Sequence, residues 1–217
     1  MSRKLFIAAT LLIGPPLLTS AALAGPCASN VKYSIWVNTS GFSCTVGDKT
    51  FSNFSFSSGT GLTASQFTVG PDTIAPSGEL GLIFSTGALS VVGSGTEDAT
   101  IDFTVTTSGA LINDARLAIA GAVTGSGSAT VGETLSPSDL TLTASLPSDP
   151  VDQISFSPTD SVGVLKDAEV IGFTGTTSIS AIENDFSQIA VPEPASLTLL
   201  GTMLVGFGLF GRRRKRV

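Results

Sequence analysis

The sequence of 217 residues predicts an all-β protein whose body is an antiparallel β-sandwich. Several segments alternate apolar and polar residues, the pattern of a strand with one face in the core. Clusters of Gly, Pro, Ser and Asp separate these segments at intervals of roughly ten residues, a spacing typical of sandwiches. The same part of the chain contains no long stretch of Ala, Leu, Glu and Lys at helical spacing, so its composition disfavours helix.

The N-terminal segment, residues 1–24, is interpreted as a secretory signal peptide. It begins with two cations, continues as an apolar run interrupted by a proline pair, and ends in Ala22-Leu23-Ala24 before Gly25. Small side chains at Ala22 and Ala24 suit the narrow pocket of signal peptidase, so cleavage is expected between Ala24 and Gly25. An uncleaved membrane helix is the alternative, which the proline pair disfavours because proline breaks a helix.

Residues 25–190 form the predicted body, which has the size of one ordinary domain. In "TIDFTVTTS", Ile101, Phe103 and Val105 share one face of a strand, and the polar residues between them share the other. The other predicted strands are "ELGLIFS", "RLAIAGAV" and "DLTLTASL", with the shorter candidates "YSIWV", "QFTV", "QISF" and "EVIGF". A closed barrel and a β-solenoid are the alternative architectures, although the sequence shows no fixed repeat period of the kind a solenoid requires.

The two cysteines, Cys27 and Cys44, both lie near the start of the body. In an exported chain a lone pair of cysteines is most simply a disulfide, here closing a short loop. Unpaired thiols and metal binding are the alternatives. Two thiolates without histidine make a poor zinc site, so no metal ligand is predicted.

Aromatic residues are concentrated near this cysteine pair. The turn "VGDKT" predicts a hairpin, and the opposite parity of Phe51 and Phe54 predicts a bulge or a strand that is buried on both sides. Trp36 is expected to pack in the core. The alternative is that Tyr33 and Trp36 stack on a sugar ring.

The body is strongly acidic. It holds four cations and sixteen carboxylates, a formal balance of −12 against −6 for the whole chain. Such a surface repels nucleic acid, so no nucleic-acid partner is expected. We expect most of the carboxylates to lie in turns or on polar strand faces. The alternative is calcium binding by Glu97, Asp98 and Asp102, whose spacing matches neither an EF-hand nor a nonapeptide repeat.

Several kinds of catalysis are excluded by composition. The chain has no histidine, which rules out Ser-His-Asp and Cys-His arrangements and histidine-ligated metals. A pair of carboxylates could hydrolyse a glycoside, but no pair stands out, and the chain has one Trp and one Tyr to line a sugar cleft. No catalytic residue and no cofactor is therefore predicted.

The C-terminal segment, residues 191–217, has three parts in a fixed order. It consists of the motif Val191, Pro192, Glu193, Pro194, an apolar run, and the basic cluster Arg212, Arg213, Arg214, Lys215, Arg216. As a single helix, the run from Ala195 to Gly211 would span about 26 Å at about 1.5 Å per residue, slightly less than a hydrocarbon core of about 30 Å. The basic cluster would stay cytoplasmic and leave the body on the far side of the inner membrane.

This tail resembles the PEP-CTERM sorting signal in each of its three parts. A second resemblance, to a segment shared by many exported proteins with that signal, is carried by Cys44, Gly47, Asp48, Lys49, Phe51, Asn53 and Phe54. The resemblance implies a Gram-negative bacterium whose exosortase recognises the motif at the periplasmic face. Anchoring in the inner membrane would then be transient, and the protein would be associated with exopolysaccharide or biofilm at the cell surface or in the extracellular matrix.

The sequence therefore favours a non-enzymatic exported surface or matrix protein that signal peptidase and exosortase process. A carbohydrate- or calcium-binding adhesion module is the alternative. A carboxylate-based glycoside hydrolase is the third hypothesis.

Overall fold

The computed structural model describes residues 24–73 and 79–189. The sorting motif, the apolar run, the basic cluster and all of the predicted signal peptide except Ala24 lie outside these ranges. Within the described ranges, no helix is long and apolar enough to cross a membrane.

The described ranges contain fourteen strands, one α-helix and one 3-10 turn. In chain order they are β1 (Gly25–Pro26), β2 (Val31–Lys32), α1 (Tyr33–Asn38), β3 (Ser43–Val46), β4 (Lys49–Ser57), the 3-10 turn (Ala64–Gln66), β5 (Phe67–Asp72), β6 (Leu80–Thr86), β7 (Ser90–Val92), β8 (Gly95–Thr107), β9 (Leu111–Thr124), β10 (Gly127–Ser136), β11 (Leu140–Leu146), β12 (Val151–Thr159), β13 (Ser161–Gly172) and β14 (Thr176–Ile189).

The strands form two sheets that pack face to face as a β-sandwich, which confirms the predicted fold class of the body. Sheet A has the order β1-β3-β4-β8-β13-β10-β11, and sheet B has the order β12-β9-β14-β6-β5-β2, with β7 paired to one end of β14. Among the described strands, every pair is antiparallel except β1 with β3.

The core lies between the two inner faces, as the alternation predicts. Ile101, Phe103 and Val105 of β8 are fully buried. Leu82 and Phe84 of β6 are buried on the facing side. Apolar side chains at every second position are therefore removed from water, which is the main favourable contribution to folding.

The predicted disulfide between Cys27 and Cys44 is present. It fixes the chain after β1 to strand β3, and the backbone N–H of Cys27 also donates to the carbonyl of Thr45 at 2.9 Å. The predicted hairpin follows, since Val46 and Lys49 pair across the turn. Gly47 opens that turn at φ +60°, a conformation that glycine adopts at little cost.

A bulge in β4 explains the mixed parity of its phenylalanines. Phe51 pairs with Val105 and Phe56 with Ile101, and these two partners face the same side of β8. Phe51 and Phe56 are five residues apart, whereas their partners are four residues apart, so β4 contains one additional residue. The register shifts between Ser52 and Ser55. The bulge, one of the two predicted alternatives, is confirmed.

The segment "YSIWV" is helical, so the prediction of a strand there is wrong. In a strand Tyr33 and Trp36 would point to opposite faces, whereas α1 places both on the side that packs against the core. Tyr33 is fully buried and Trp36 is 2% exposed, while Ile35 is 54% exposed. The Tyr33 hydroxyl donates to the carbonyl of Ser55 at 2.9 Å.

The position of α1 settles the role of its two aromatic rings. Trp36 packs in the core, as predicted, at 5.0 Å between ring centroids from Phe54. Neither ring is open to solvent, so the alternative of a sugar-stacking platform at Tyr33 and Trp36 is wrong.

Truncation of the two neighbouring side chains tests the orientation of this helix. Trp36→Ala should lower the free energy of unfolding by about 3–5 kcal/mol because it empties a buried site. Ile35→Ala, in the same helix, should change it by less than about 1 kcal/mol. Urea denaturation measures both values, and equal losses would contradict the helical orientation.

Candidate functional site

Buried polar side chains gather on both faces of strand β14. Asn184 points inward and contacts Glu133 of sheet A, so its neighbours Glu183 and Asp185 point to the outer face of sheet B. The sequence prediction placed the carboxylates mostly in turns and on polar strand faces. Five of them are instead at most 8% exposed, namely Asp72, Glu79, Asp114, Glu133 and Asp185.

On the outer face, four residues form a row across sheet B. Asp72 of β5 is opposite Gly81 of β6, Gly81 is opposite Asp185 of β14, and Asp185 is opposite Arg116 of β9. Residues that are opposite in neighbouring strands lie on one face of the sheet. We call these four residues the acidic row.

Glycine is required at the second position of the acidic row. A Cβ atom at Gly81 would lie 1.9 Å from the carbonyl oxygen of Asn184 and 2.6 Å from Oδ1 of Asp185. Because no side chain separates them, the carboxylates on either side of Gly81 come close together. One ligand oxygen each of Asp72, Glu183 and Asp185 lies within 4.8 Å of the other two.

Arg116 balances part of this negative charge. Its guanidinium nitrogen lies 3.0 Å from Oδ2 of Asp185 and 3.6 Å from Oε2 of Glu183. Burial nevertheless raises the pKa of Asp185 to about 7; the charge of Asp72 adds to this increase and Arg116 opposes it. Asp185 Oδ1 is buried without a hydrogen-bond partner.

Together with Glu183, the acidic row offers the oxygen ligands that a hard cation prefers, but the positive charge of Arg116 disfavours cation binding there. Within the described ranges, Asp72, Glu183 and Asp185 are the only group of three or more residues that could hold a metal ion. Calcium prefers such carboxylate oxygens. Arg116 already contacts two of the three carboxylates and would repel a second cation, so we interpret the row as a structural charge cluster.

The calcium site considered from the sequence is not formed. Glu97, Asp98 and Asp102 all lie in β8, where Glu97 and Asp98 point to opposite faces. Asp98 and Asp102 are about 13 Å apart along the strand, at about 3.3 Å per residue. Asp98 instead accepts a hydrogen bond from the backbone N–H of Gly59 at 2.8 Å.

A second polar cluster lies between the sheets. Glu133, Lys166 and Asn184, which we call the buried triad, are 1%, 0% and 0% exposed. Glu133 of β10 and Lys166 of β13 are opposite each other in sheet A, and the Lys166 ammonium contacts Glu133 Oε2. Asn184 of sheet B donates to Glu133 Oε1 at 3.2 Å, so one carboxylate holds a side chain from each sheet.

An aromatic ring lies beside the buried triad. The Lys166 ammonium lies 6.0 Å from the ring centroid of Phe103. Burial lowers the pKa of Lys166, and the neighbouring Glu133 opposes this decrease. Asn184 donates a second hydrogen bond to the carbonyl of Arg116 at 3.1 Å, while its Oδ1 is buried without a partner.

The sequence analysis missed the buried triad, although a signal was present. Glu133 occupies the same face of its strand as Val131 and Leu135. Lys166 occupies the same face of its strand as Val164 and Ala168. The pattern of each strand thus places its charge at a core position. Which residues meet there depends on the pairing of β10 with β13, which the pattern alone does not specify.

A cleft of about 780 Å³ opens between β11 and β12 at one end of these strands, where the β10–β11 turn and the second half of β12 form most of its lining. Its lining consists of Ser136, Pro137, Ser138, Leu140, Ser155, Phe156, Ser157, Pro158, Thr159 and Val162. Hydroxyl groups and one aromatic ring line the cleft, and none of these residues is ionisable. It therefore has no acid or base for catalysis but has the groups that contact a neutral polar ligand.

Comparisons with known proteins do not assign this chain to a family. The chain matches no family model and no curated protein. Among solved structures, it is similar to the carbohydrate-binding module TmCBM61 described in complex with β-1,4-galactotriose, with 12% identity, a TM-score of 0.34, and coverage of 64% of this chain and 90% of the module.

Two further solved structures are comparably distant. One comes from a study of promiscuous specificity in carbohydrate-binding modules of the β-sandwich superfamily, with 12% identity, a TM-score of 0.29, and coverage of 77% of this chain and 64% of that one. The other is the enzymatically active domain of tailspike protein 4 of bacteriophage CBA120, with 11% identity, a TM-score of 0.30, and coverage of 66% and 20%. These TM-scores are too low to support an argument about function.

Proposed function

We propose that this chain is a non-enzymatic exported protein of the bacterial surface or extracellular matrix, processed by signal peptidase and exosortase and associated with exopolysaccharide. The observation that carries the proposal is the C-terminal tail, in which the motif Val191-Pro192-Glu193-Pro194, an apolar run and a basic cluster follow one another. The positive-inside rule places the motif outside the inner membrane, where a periplasmic-face protease has access to it.

The chemistry of the body supports a non-catalytic role. Arg116 contacts Asp185 at 3.0 Å and Glu183 at 3.6 Å, so both carboxylates are engaged in ion pairs. Asp185 is fully buried, so a sugar cannot reach it. The cleft between β11 and β12 has no ionisable lining residue.

Intact mass spectrometry of the mature protein tests the sorting proposal. From wild-type cells, we expect a chain that begins at Gly25 and ends within residues 191–194. From cells without exosortase, the chain should extend to Val217. Replacement of Pro192 and Pro194 by alanine in wild-type cells should also preserve the tail, because the recognition motif is lost.

Pro158→Ala provides the matched control, since this proline lies in the body and its variant should be processed normally. Chains that retain Arg216 in both wild-type and exosortase-deleted cells would contradict the proposal.

A second candidate function, carbohydrate binding, is favoured by the cleft. Phe156, which also packs against the core, lines the cleft together with serines and Thr159, and an aromatic ring beside hydroxyl groups is a combination suited to a neutral sugar. The hydrogen bond from the backbone N–H of Thr143 to Asp152 Oδ2, at 2.8 Å, joins β11 to β12. The cleft would then be the contact with exopolysaccharide.

A glycan array followed by titration with the best ligand tests this second candidate. Phe156→Ser should weaken binding about tenfold or more, which corresponds to about 1.4 kcal/mol. Phe173→Ser is the matched control, because Phe173 is 62% exposed and does not line the cleft. A flat array, or equal weakening by both substitutions, would exclude the cleft as a sugar site.

A further inference from the structure

The buried triad places an amine and a carboxamide on the two oxygens of one carboxylate. Lys166 carries a primary amine, Asn184 a carboxamide, and Glu133 a carboxylate that contacts both of them. Amine, carboxamide and proton carrier are the groups that amide exchange requires, and here they are held together without competing water.

We propose that Lys166 and Asn184 form an intramolecular isopeptide bond and that Glu133 carries the protons for the reaction. The new bond joins Nζ of Lys166 to Cγ of Asn184. The bond between Cγ and Nδ2 of Asn184 breaks, and ammonia leaves.

The proton transfers balance without a further reactant. Glu133 first accepts a proton from the Lys166 ammonium, which gives a neutral amine beside a carboxylic acid. The amine attacks Cγ of Asn184, and the Glu133 carboxyl group donates its proton to the departing amide nitrogen. A second proton passes from the attacking nitrogen through Glu133 to the ammonia, which leaves as the ammonium ion, and Glu133 ends as a carboxylate beside the new amide.

The environment favours the first of these steps. Burial lowers the pKa of Lys166 and so favours the neutral, nucleophilic form of its amine. Transfer of the proton to Glu133 also removes two charges from the apolar interior, where each is costly. Asn184 Oδ1 is buried and has no hydrogen-bond partner, so the carbonyl side of the amide is not stabilised by a donor in the unreacted state.

The bond would connect the two halves of the sandwich. Lys166 lies in β13, an interior strand of sheet A, and Asn184 lies in β14 of sheet B. The disulfide, in contrast, ties only the N-terminal segment to β3. A cross-link between β13 and β14 would resist separation of the sheets even in a reducing medium, which breaks a disulfide but not an amide.

The intact mass of the wild-type mature protein, measured after reduction of the disulfide and with both termini mapped by tandem mass spectrometry, tests the proposal. We expect a mass lower than that of the sequence by one molecule of ammonia. Proteolysis should release a branched peptide that joins Lys166 to Asn184. The full sequence mass would show that the triad is only a buried ion pair and would overturn the proposal.

A loss of ammonia that maps to another residue, such as a succinimide that hydroxylamine cleaves, would also overturn it. Glu133→Gln and Asn184→Ala should each restore the full mass. Lys49→Arg is the matched control, because Lys49 is also buried and donates to Oε1 of Gln188 at 3.1 Å, but its replacement should leave the ammonia loss unchanged. The wild-type measurement decides the question even where a variant fails to fold.

Discussion

The contact between Glu133 and Lys166 is the interaction on which the arrangement of the two sheets depends. Both side chains are enclosed between apolar faces, where an unpaired charge costs several kcal/mol. A shift of one residue between β10 and β13 would turn one of them to the outer face and leave the other alone. The pair therefore fixes the register of sheet A, and Asn184 fixes the approach of sheet B through the same carboxylate.

Strand β14 transmits this constraint to the outer face of sheet B. Asn184 is hydrogen-bonded inward to Glu133 and across the sheet to the carbonyl of Arg116. The next residue, Asp185, points outward and accepts a hydrogen bond from the Arg116 side chain. Consecutive residues of one strand thus engage the backbone and the side chain of the same arginine, and the buried triad and the acidic row are held by one segment.

Local patterns in the sequence predicted several of the strands, although not β10 or β14, and they predicted features that neighbouring residues determine. Alternation predicted the buried face of β8, the turn residues predicted the β3–β4 hairpin, and the parity of Phe51 and Phe54 pointed to a bulge. The short segment "YSIWV" was mistaken for a strand because five residues fit either period, and the burial of Tyr33 and Trp36 on one side favours the helix.

The polar clusters could not be predicted in the same way, since their members are distant in the chain. Glu133 is 33 residues from Lys166 and 51 residues from Asn184. The order of strands in each sheet and the facing of the sheets bring them together. A charge at a core position indicates that a partner is needed, but only the topology identifies the partner.

A double-mutant cycle on Glu133 and Lys166 measures most directly whether the two residues act as one unit. Urea unfolding of Glu133→Leu and of Lys166→Met should each show a loss of about 3–5 kcal/mol, because each leaves a buried group without its partner. The double variant should lose less than the sum of the two by at least about 2 kcal/mol. Losses that add within error would contradict the dependence of the fold on this contact.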